Sequence, residues 1–397
     1  MIKQSLRVAL VHDVFIEFGG AERVLLELVA LYPEADIFIP LLQSAKRDLL
    51  AKYSTGKIHT SWLNNLPFIH SASIVLKPLL YLYWQFLDVS KYDVVISSSH
   101  SFSSKGVITG PNTYHLSYVH TPPRYLYVEF NETQILRFTP SRVLLTPLLS
   151  WLRMHDYLSA QRPDLLVANS KVVAQRIAKY YRRRARIIYP PIRLISRSAL
   201  VTARQHWLQV WQERVVAPLQ LSQRQFFESI QPKQYYVCFS RLSKQKGIDL
   251  AVRVCTQLGK PLVVVGEGSQ AAHLRSIAGP SVTLIGSVSD AQKSSLLSQA
   301  RALIYCSIEE DFGMVTAEAL AHGIPVVGYK SGGTTEIVTP TTSVLFSEFS
   351  IESLTAALKQ FEKKRFSAVT CQLRAKAFSA QKFLTGIDKL VAKRTRE

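Results

Sequence analysis

Residues 307–333, SIEEDFGMVTAEALAHGIPVVGYKSGG, limit what this chain can fold into more than any other stretch. The run just before, ALIYCS at 302–307, is apolar and strand-like, and IPVVGY at 324–329 has the unbroken apolar pattern of a buried strand. Between them Asp311 and Gly313 break the first strand, and residues 314–322 have helical character that stops at Gly323. Strand, loop, helix and strand in under thirty residues predict a βαβ unit, and with it a parallel sheet whose crossovers are helices.

Glu310 and Glu318 stand eight positions apart in this unit. The pattern places Glu310 in the loop at the carboxyl end of the strand and Glu318 early in the helix. A helix N-terminus between them leaves backbone N–H groups without partners and carries partial positive charge, which suits a diphosphate. A carboxylate on each side can accept hydrogen bonds from two polyhydroxylated groups. A nucleotide sugar meets these demands, with phosphates at the helix end and sugar and ribose hydroxyls at the glutamates. Two surface glutamates of an ordinary βαβ unit have the same spacing, so the pair alone does not decide.

The chain has 397 residues, 47% of them hydrophobic, enough for two domains of ordinary size with a sizeable core. Cys238, Cys255, Cys306 and Cys371 are widely spaced with no CxxC, which argues against a disulfide or metal framework and fits a reducing cytoplasm. Residues 1–10 carry Lys3 and Arg7 with no long apolar run behind them, so no signal peptide is expected. No run of about eighteen apolar residues predicts a transmembrane span. The formal net charge of +20 points to an anionic partner: nucleic acid, an anionic bilayer surface or a phosphorylated substrate. The charge is clustered, in KYYRRRAR (179–186) and in Arg193, Arg197, Arg204, Arg214 and Arg224 against Glu213 alone. Aromatic residues do not interleave with these runs as an RNA-binding face requires, which favours membrane or phosphate over nucleic acid.

LRVALVHD (6–13) reads as a buried strand, followed by Gly19-Gly20 and a helix from Ala21. A doubly wound domain opens this way, with ligands at the carboxyl end of the strand, although Gly-Gly alone also reads as a plain turn. Residues 61–88 hold Trp62, Phe68, Tyr81, Tyr83, Trp84 and Phe86 with only Lys77 and Asp88 charged, and Pro67 and Pro78 forbid one continuous helix. They read either as a core helix pair or as an amphipathic segment at a membrane interface. YDVVISS (92–98) is a further strand, and another is expected to start at 106–109. In YVHTPPRYLY (118–127) Pro122 and Pro123 make a rigid corner directly after a strand. His120 and Arg124 are thereby held at a strand end, where active sites of open α/β sheets lie. YYVCF (235–239) opens a second domain, and the loop after it carries Arg241 and Lys246 near a helix start, two cations that make an anion site. PLVVVGEG (261–268) is a strand and glycine turn without GxGxxG, and helices are expected at 351–362 and 371–390.

In chain order, GGAER, HTPPRY, the Pro190-Pro191 strand end, R-L-x-x-x-K-G and the E-x7-E spacing of EDFGMVTAE resemble family 4 glycosyltransferases. These are group 1 retaining nucleotide-sugar enzymes of GT-B fold, and the resemblance runs along most of the chain. It implies an α/β architecture of two doubly wound Rossmann-like domains facing a cleft. Residues 1–192 would form the acceptor domain, 193–233 a basic inserted linker, 234–375 the nucleotide-sugar domain, and 376–397 a helix and tail crossing back to the first domain. His120 and Glu310 are implied as catalytic, the histidine at the donor sugar and the glutamate on its hydroxyls. Arg241 and Lys246, with Gly313, Met314 and Val315 at the helix start, are implied for the donor diphosphate, and Glu318 for the ribose. Gly19, Gly20 and Arg124 are implied for the loop near the donor phosphates and the acceptor. No cofactor or metal is expected.

HTPPRY and GGAER resemble mannosyltransferase-like members, which makes a GDP-sugar, GDP-mannose first, the expected donor. The expected acceptor is a lipid-linked saccharide in surface polysaccharide synthesis. The expected location is cytoplasmic, peripheral at the inner face of the cytoplasmic membrane. Two alternatives stay open: a same-fold enzyme with a UDP-sugar donor or an epimerase-like or phosphorylase-like reaction, and a non-catalytic basic protein that binds anions or nucleic acid. The chain departs from the family at Ser240, where many members carry glycine, and at 194–232, where members pass quickly into the second domain. That insertion, with Trp207 and Trp211 one helical turn apart, reads as a helical hairpin on the surface or as an amphipathic membrane or partner contact.

Overall fold

A computed structural model describes residues 6–66, 77–101, 103–127 and 139–394. The chain divides into two units, Met1–Pro191 joined by Ala380–Glu397, and Ile192–Ser379. In the first, seven parallel strands run in the order β3-β2-β1-β4-β5-β6-β7. They are β1 (Val8–His12), β2 (Asp36–Phe38), β3 (Ile58–His59), β4 (Val94–Ser99), β5 (Tyr114–Val119), β6 (Leu165–Ala168) and β7 (Ala185–Ile187). The order reverses between β1 and β4, so the carboxyl ends of these two strands border the crevice where doubly wound sheets bind ligands.

Both faces of this sheet are covered, which is why β1 (VALVH) and β6 (LLVA) read as nearly continuous apolar runs. Val8 and Leu10 of β1 pack on one side with Val24, Leu25 and Leu28 of the helix Gly20–Leu31. Ala9 and Val11 face the other side with Phe38, Trp84 and Val95. The chain's last helix, Ala380–Arg394, closes the first side with Phe383, Ile387 and Val391, spaced by four on one stripe. Phe383 meets the Tyr118 ring edge-on at 5.5 Å. The C-terminal helix thus belongs to the first unit.

The second unit holds six parallel strands in the order β10-β9-β8-β11-β12-β13. They are β8 (Tyr236–Phe239), β9 (Leu262–Val265), β10 (Val282–Leu284), β11 (Ala302–Tyr305), β12 (Val326–Tyr329) and β13 (Ser343–Phe346). Here the reversal lies between β8 and β11. The βαβ unit expected from residues 302–329 is β11, the helix Met314–Ala321 and β12, paired in parallel.

Three expectations need correction. Residues 106–109 start no strand: Ser104–Gly106 is a 3₁₀ turn, Ile108 makes a lone bridge to Asp88, and Gly110-Pro111 turns the chain before β5. An apolar run that short, closed by Gly-Pro, cannot extend a ladder. Residues 371–390 are not evenly helical, because Ala368–Ala375 and Ala380–Arg394 are parted at Ser379, whose backbone bridges Ile192. Residues 193–233 are no separate linker but part of the second unit. The helix Arg197–Gln205 packs on the helix Asp290–Gln299, and Trp207 and Trp211 are buried and stacked at 5.2 Å. The Trp207 indole N–H donates to the Tyr235 hydroxyl at 2.9 Å, and that of Trp211 to the Phe227 carbonyl at 3.1 Å. Two tryptophans anchored in this way are interior groups and not membrane anchors.

In 61–88, Phe68 and Pro67 lie outside the described residues. The helix Lys77–Phe86 buries Leu80, Tyr81 and Trp84 and exposes Leu79, Leu82 and Phe86, the last at 84%. One stripe is core and another is bare, so the two readings of this segment apply to different faces. No helix among the described residues is long and apolar enough to cross a membrane.

Candidate functional site

In the second unit the sheet's switch point gathers the expected donor residues. β11 ends at Tyr305, and the loop after it leads through Glu310 to Gly313, the N-cap of Met314–Ala321. Gly313 has φ 92°, a left-handed conformation that side chains other than hydrogen rarely adopt. Gly332 (φ 56°) turns so close to this loop that a Cβ there would lie 2.2 Å from the Glu310 carbonyl oxygen. The next N–H, of Gly333, donates to that oxygen at 2.8 Å. The two glycine turns therefore pin Glu310 at the carboxyl end of β11.

The Glu310 carboxylate accepts from the Lys246 ammonium at 2.6 Å and the Ser307 hydroxyl at 2.7 Å. Burial pushes this carboxyl up, but Lys246 and the hydroxyls of Ser307 and Tyr305 outweigh it and hold the group at about 2. Glu310 is thus an anion at neutral pH. Lys246 ends the tight turn Lys244–Lys246 after β8, and Arg241 is exposed earlier in the same loop.

Glu318 sits in the helix, buried, with its carboxylate paired to the Lys293 ammonium of helix Asp290–Gln299. Beneath it, His322 Nδ1 donates to the Glu318 carbonyl at 2.8 Å, so its Nε2 accepts from the Ser294 hydroxyl at 3.0 Å. Burial holds this imidazole neutral, lowered to about 4. Two groups that spacing rules did not flag lie beside the helix start. The Thr316 and Thr334 hydroxyls are fully buried, lack hydrogen-bond partners among the described residues, and flank the position a Cβ of Gly313 would take, at 3.6 and 3.4 Å. Unmet buried donors beside a helix N-terminus mark a place prepared for an acceptor-rich ligand.

In the first unit Gly19 and Gly20 lie at the helix start after β1, and His120 reaches Ser98 at the end of β4, whereas nothing among the described residues brings Arg124 to them. Gly19 caps the helix Gly20–Leu31, and its N–H donates to Glu22 Oε2 at 2.8 Å. His12 ends β1 with no exposure, and its Nε2 lies 3.7 Å from Glu22 Oε1. Asp13 accepts the backbone N–H groups of His100, Ser101 and Ser104 at 2.6–2.7 Å, which ties the loop after β4 to the end of β1. His120 follows β5, its Nε2 2.8 Å from the Ser98 hydroxyl and its ring 6.2 Å from that of His100. Burial, reinforced by His100 and His12, lowers His120 to about 3, so it is a neutral imidazole at pH 7. Pro122 and Pro123 are buried as the corner, and Arg124 opens the short turn Arg124–Tyr127. His12 and His100 stand in no motif, and Glu22, although it lies inside GGAER, carries no implied role there; the three meet only because they converge from separate elements.

The family profile described as Glycosyltransferase Family 4 matches residues 18–194, and that described as Glycosyl transferases group 1 matches 221–378. A GDP-mannose-dependent alpha-mannosyltransferase of Mycobacterium tuberculosis is 29% identical over 100 residues, 25% of this chain and 26% of the relative. Human alpha-1,3/1,6-mannosyltransferase ALG2 is 30% identical over 105 residues, 26% of this chain and 25% of the relative. The match spans about a quarter of these curated relatives' length. Among solved structures, Anabaena HepE in complex with UDP-glucose superimposes with a TM-score of 0.68 at 18% identity, covering 98% of this chain and all of the other. Sucrose-phosphate synthase of Thermosynechococcus elongatus gives 0.64 at 14% identity, covering 98% of each. At such identities the likeness establishes the two-domain α/β fold of these glycosyltransferases and nothing finer.

Proposed function

Since the chain belongs to the group 1, family 4 glycosyltransferases, we propose that it is a retaining hexosyltransferase that moves mannose from GDP-mannose to a lipid-linked saccharide. The observation that carries this reading is the Glu310–Lys246 pair beside the Gly313 helix start, with buried Thr316 and Thr334 hydroxyls facing the same turn. The donor diphosphate takes the N–H groups at Gly313, Met314 and Val315 and the charges of Arg241 and Lys246. Glu318, held by Lys293, accepts from the ribose hydroxyls, and Glu310 accepts from the sugar hydroxyls. As the glycosidic bond breaks, Arg241 and Lys246 offset the negative charge growing on the departing nucleoside diphosphate. The acceptor hydroxyl oxygen bonds to the anomeric carbon on the face the diphosphate leaves and gives its proton to the departing phosphate oxygen, so no separate general base is assigned. Neutral His120 offers the sugar a hydrogen bond without adding charge. The two cations and the helix N-terminus meet the charge demand of the diphosphate, and no metal is assigned to it.

The mannosyl donor rests on the HTPPRY and GGAER strings and on the name of the mycobacterial relative. A UDP-sugar is the second reading, favoured by the HepE complex with UDP-glucose. A screen of GDP- and UDP-sugars for nucleoside diphosphate release separates them: GDP from GDP-mannose supports the first, UDP the second, and no release from any donor overturns both. Glu310→Gln, which keeps a hydrogen-bonding group at the site, should lower kcat by a hundredfold or more while circular dichroism stays unchanged. Turnover at the native rate would remove Glu310 from the mechanism. We infer an acceptor of surface polysaccharide synthesis at the inner face of the cytoplasmic membrane; the +20 charge and the exposed apolar stripe of Lys77–Phe86 support the membrane part of this reading.

A further inference from the structure

We propose that His12, Glu22 and His100 form a binding site for one divalent transition-metal ion of the zinc kind, at the carboxyl ends of β1 and β4 in the first unit. One candidate ligand atom from each of the three residues lies within 4.8 Å of the other two. His12 is wholly buried, yet neither of its ring nitrogens has a hydrogen-bond partner among the described residues. A buried imidazole with two unmet nitrogens requires an explanation. Its Nε2 stands 3.7 Å from Glu22 Oε1, beyond hydrogen-bond length. That separation is close to the ~3.4 Å that two ligands about 2.0–2.1 Å from a tetrahedral zinc ion keep between them.

The surroundings orient each donor. Glu22 uses Oε2 for the Gly19 N–H at 2.8 Å, which turns Oε1 toward His12. His100 Nδ1 lies 3.9 Å from Asp13 Oδ2, longer than a hydrogen bond, and Asp13 is itself fixed by three backbone N–H groups. A fixed carboxylate on the Nδ1 side favours a proton there, which leaves Nε2 as the ligating nitrogen. His120 is nearby but has its Nε2 engaged with Ser98, so it stays outside the ligand set. Two imidazoles and one carboxylate suit Zn²⁺ or Co²⁺, whereas Mg²⁺ and Ca²⁺ favour all-oxygen sites. Three protein ligands leave a position for water or a hydroxyl. An ion here would tie the end of β1, the start of helix Gly20–Leu31 and the loop after β4 to one point. The inference rests on the first unit alone and is independent of the donor reading above.

The full chain, stripped with EDTA and dialysed into metal-free buffer, is titrated with Zn²⁺ against a chromophoric chelator and with Co²⁺ followed by visible absorption. The expected result is one tight site per chain, Co²⁺ bands of four- or five-coordinate nitrogen and oxygen ligation, and a melting temperature raised by Zn²⁺. His12→Ala and Glu22→Gln should each weaken Zn²⁺ binding at least tenfold, and His273→Ala, on the exposed face of helix Ala271–Ile277, should leave it unchanged. Should His12→Ala fail to fold, the Co²⁺ spectrum of the native chain and the affinity of Glu22→Gln decide. Absence of saturable uptake by the native chain overturns the proposal. So does uptake that survives Glu22→Gln at full affinity, or six-coordinate Co²⁺ bands.

Discussion

Lys246 and Lys293 each hold one member of the Glu310 and Glu318 pair, and they do so from different elements. Glu318 is buried, so its charge needs Lys293 to remain favourable there. Lys293 in turn lies over the Phe239 ring at 5.8 Å, which fixes its direction. Lys293→Met should therefore raise the KM for the donor about tenfold, as expected when a positioning contact to a ligating group is lost, with kcat changed less. Lys293→Arg should recover part of the loss. An unchanged KM in Lys293→Met would mean that Glu318 needs no such support. The glutamates themselves were legible, because an eight-residue spacing across a strand, loop and helix is a local pattern. Lys293 was not, since it meets Glu318 from 25 positions away through folding alone. The same holds for Thr316 and Thr334, whose role is visible only once Gly313 is placed between them.

Elements buried on both faces of a sheet were the easiest to read where, as in β9 (LVVV) and β11 (ALIY), the run is unbroken. By contrast β5, with His115 and Ser117 at alternate positions, gave no such signal, and a strand was expected at 106–109 instead. The insertion was harder. Its tryptophans look alike whether they face lipid or a core, and only Tyr235 and Phe227 decide, by accepting their N–H groups. The Tyr235 hydroxyl in turn donates to the Leu296 carbonyl at 2.6 Å, so the insertion is linked through Tyr235 to the helix that carries Lys293. Trp211 is 1% exposed within this aromatic stack. Trp211→Ala should destabilise the second unit by about 3–5 kcal/mol, in the range of large-to-small core substitutions, measured by urea unfolding. A hairpin merely resting on the surface would lose no more than about 0.5 kcal/mol, and a result that small would return the insertion to a peripheral role.

At the scale of the molecule, acid should unfold both units. His115 in β5 and His322 after Met314–Ala321 are held neutral by burial, at about 3 and about 4. Each folded value lies below the ordinary 6.5, so the unfolded chain takes up protons first. Stability is then whole above pH 6.5 and declines as the pH falls through the window down to these values. Glu310, held at about 2, adds to the loss below the ordinary carboxylate value of 4.5. The melting temperature should be highest above pH 6.5 and fall steadily between 6.5 and 4. A flat profile there would show that these imidazoles ionise without opposing the fold.

Charge and apolar exposure combine in the first unit to make a second prediction at this scale. Lys179, Arg182, Arg184 and Arg186 are exposed, whereas Arg183 is taken up by the Ala160 and Pro163 carbonyls at 2.9 and 2.6 Å. Trp62 is 71% exposed and Phe86 84%. Two attractions to an anionic bilayer follow, and they respond differently to salt. The basic groups act over a Debye length of about 10 Å at 0.1 M, which shrinks to about 3 Å at 1 M. Burial of Trp62 and Phe86 among lipid headgroups does not weaken with salt in that way. Cosedimentation with phosphatidylserine-containing vesicles should therefore fall steeply as salt rises, to a residual level that the double variant Trp62→Ala, Phe86→Ala abolishes. Binding indifferent to salt would remove the basic groups from the account. A double variant with full residual binding would remove the aromatic pair, and no binding to any vesicle would leave the +20 charge to phosphorylated substrates alone.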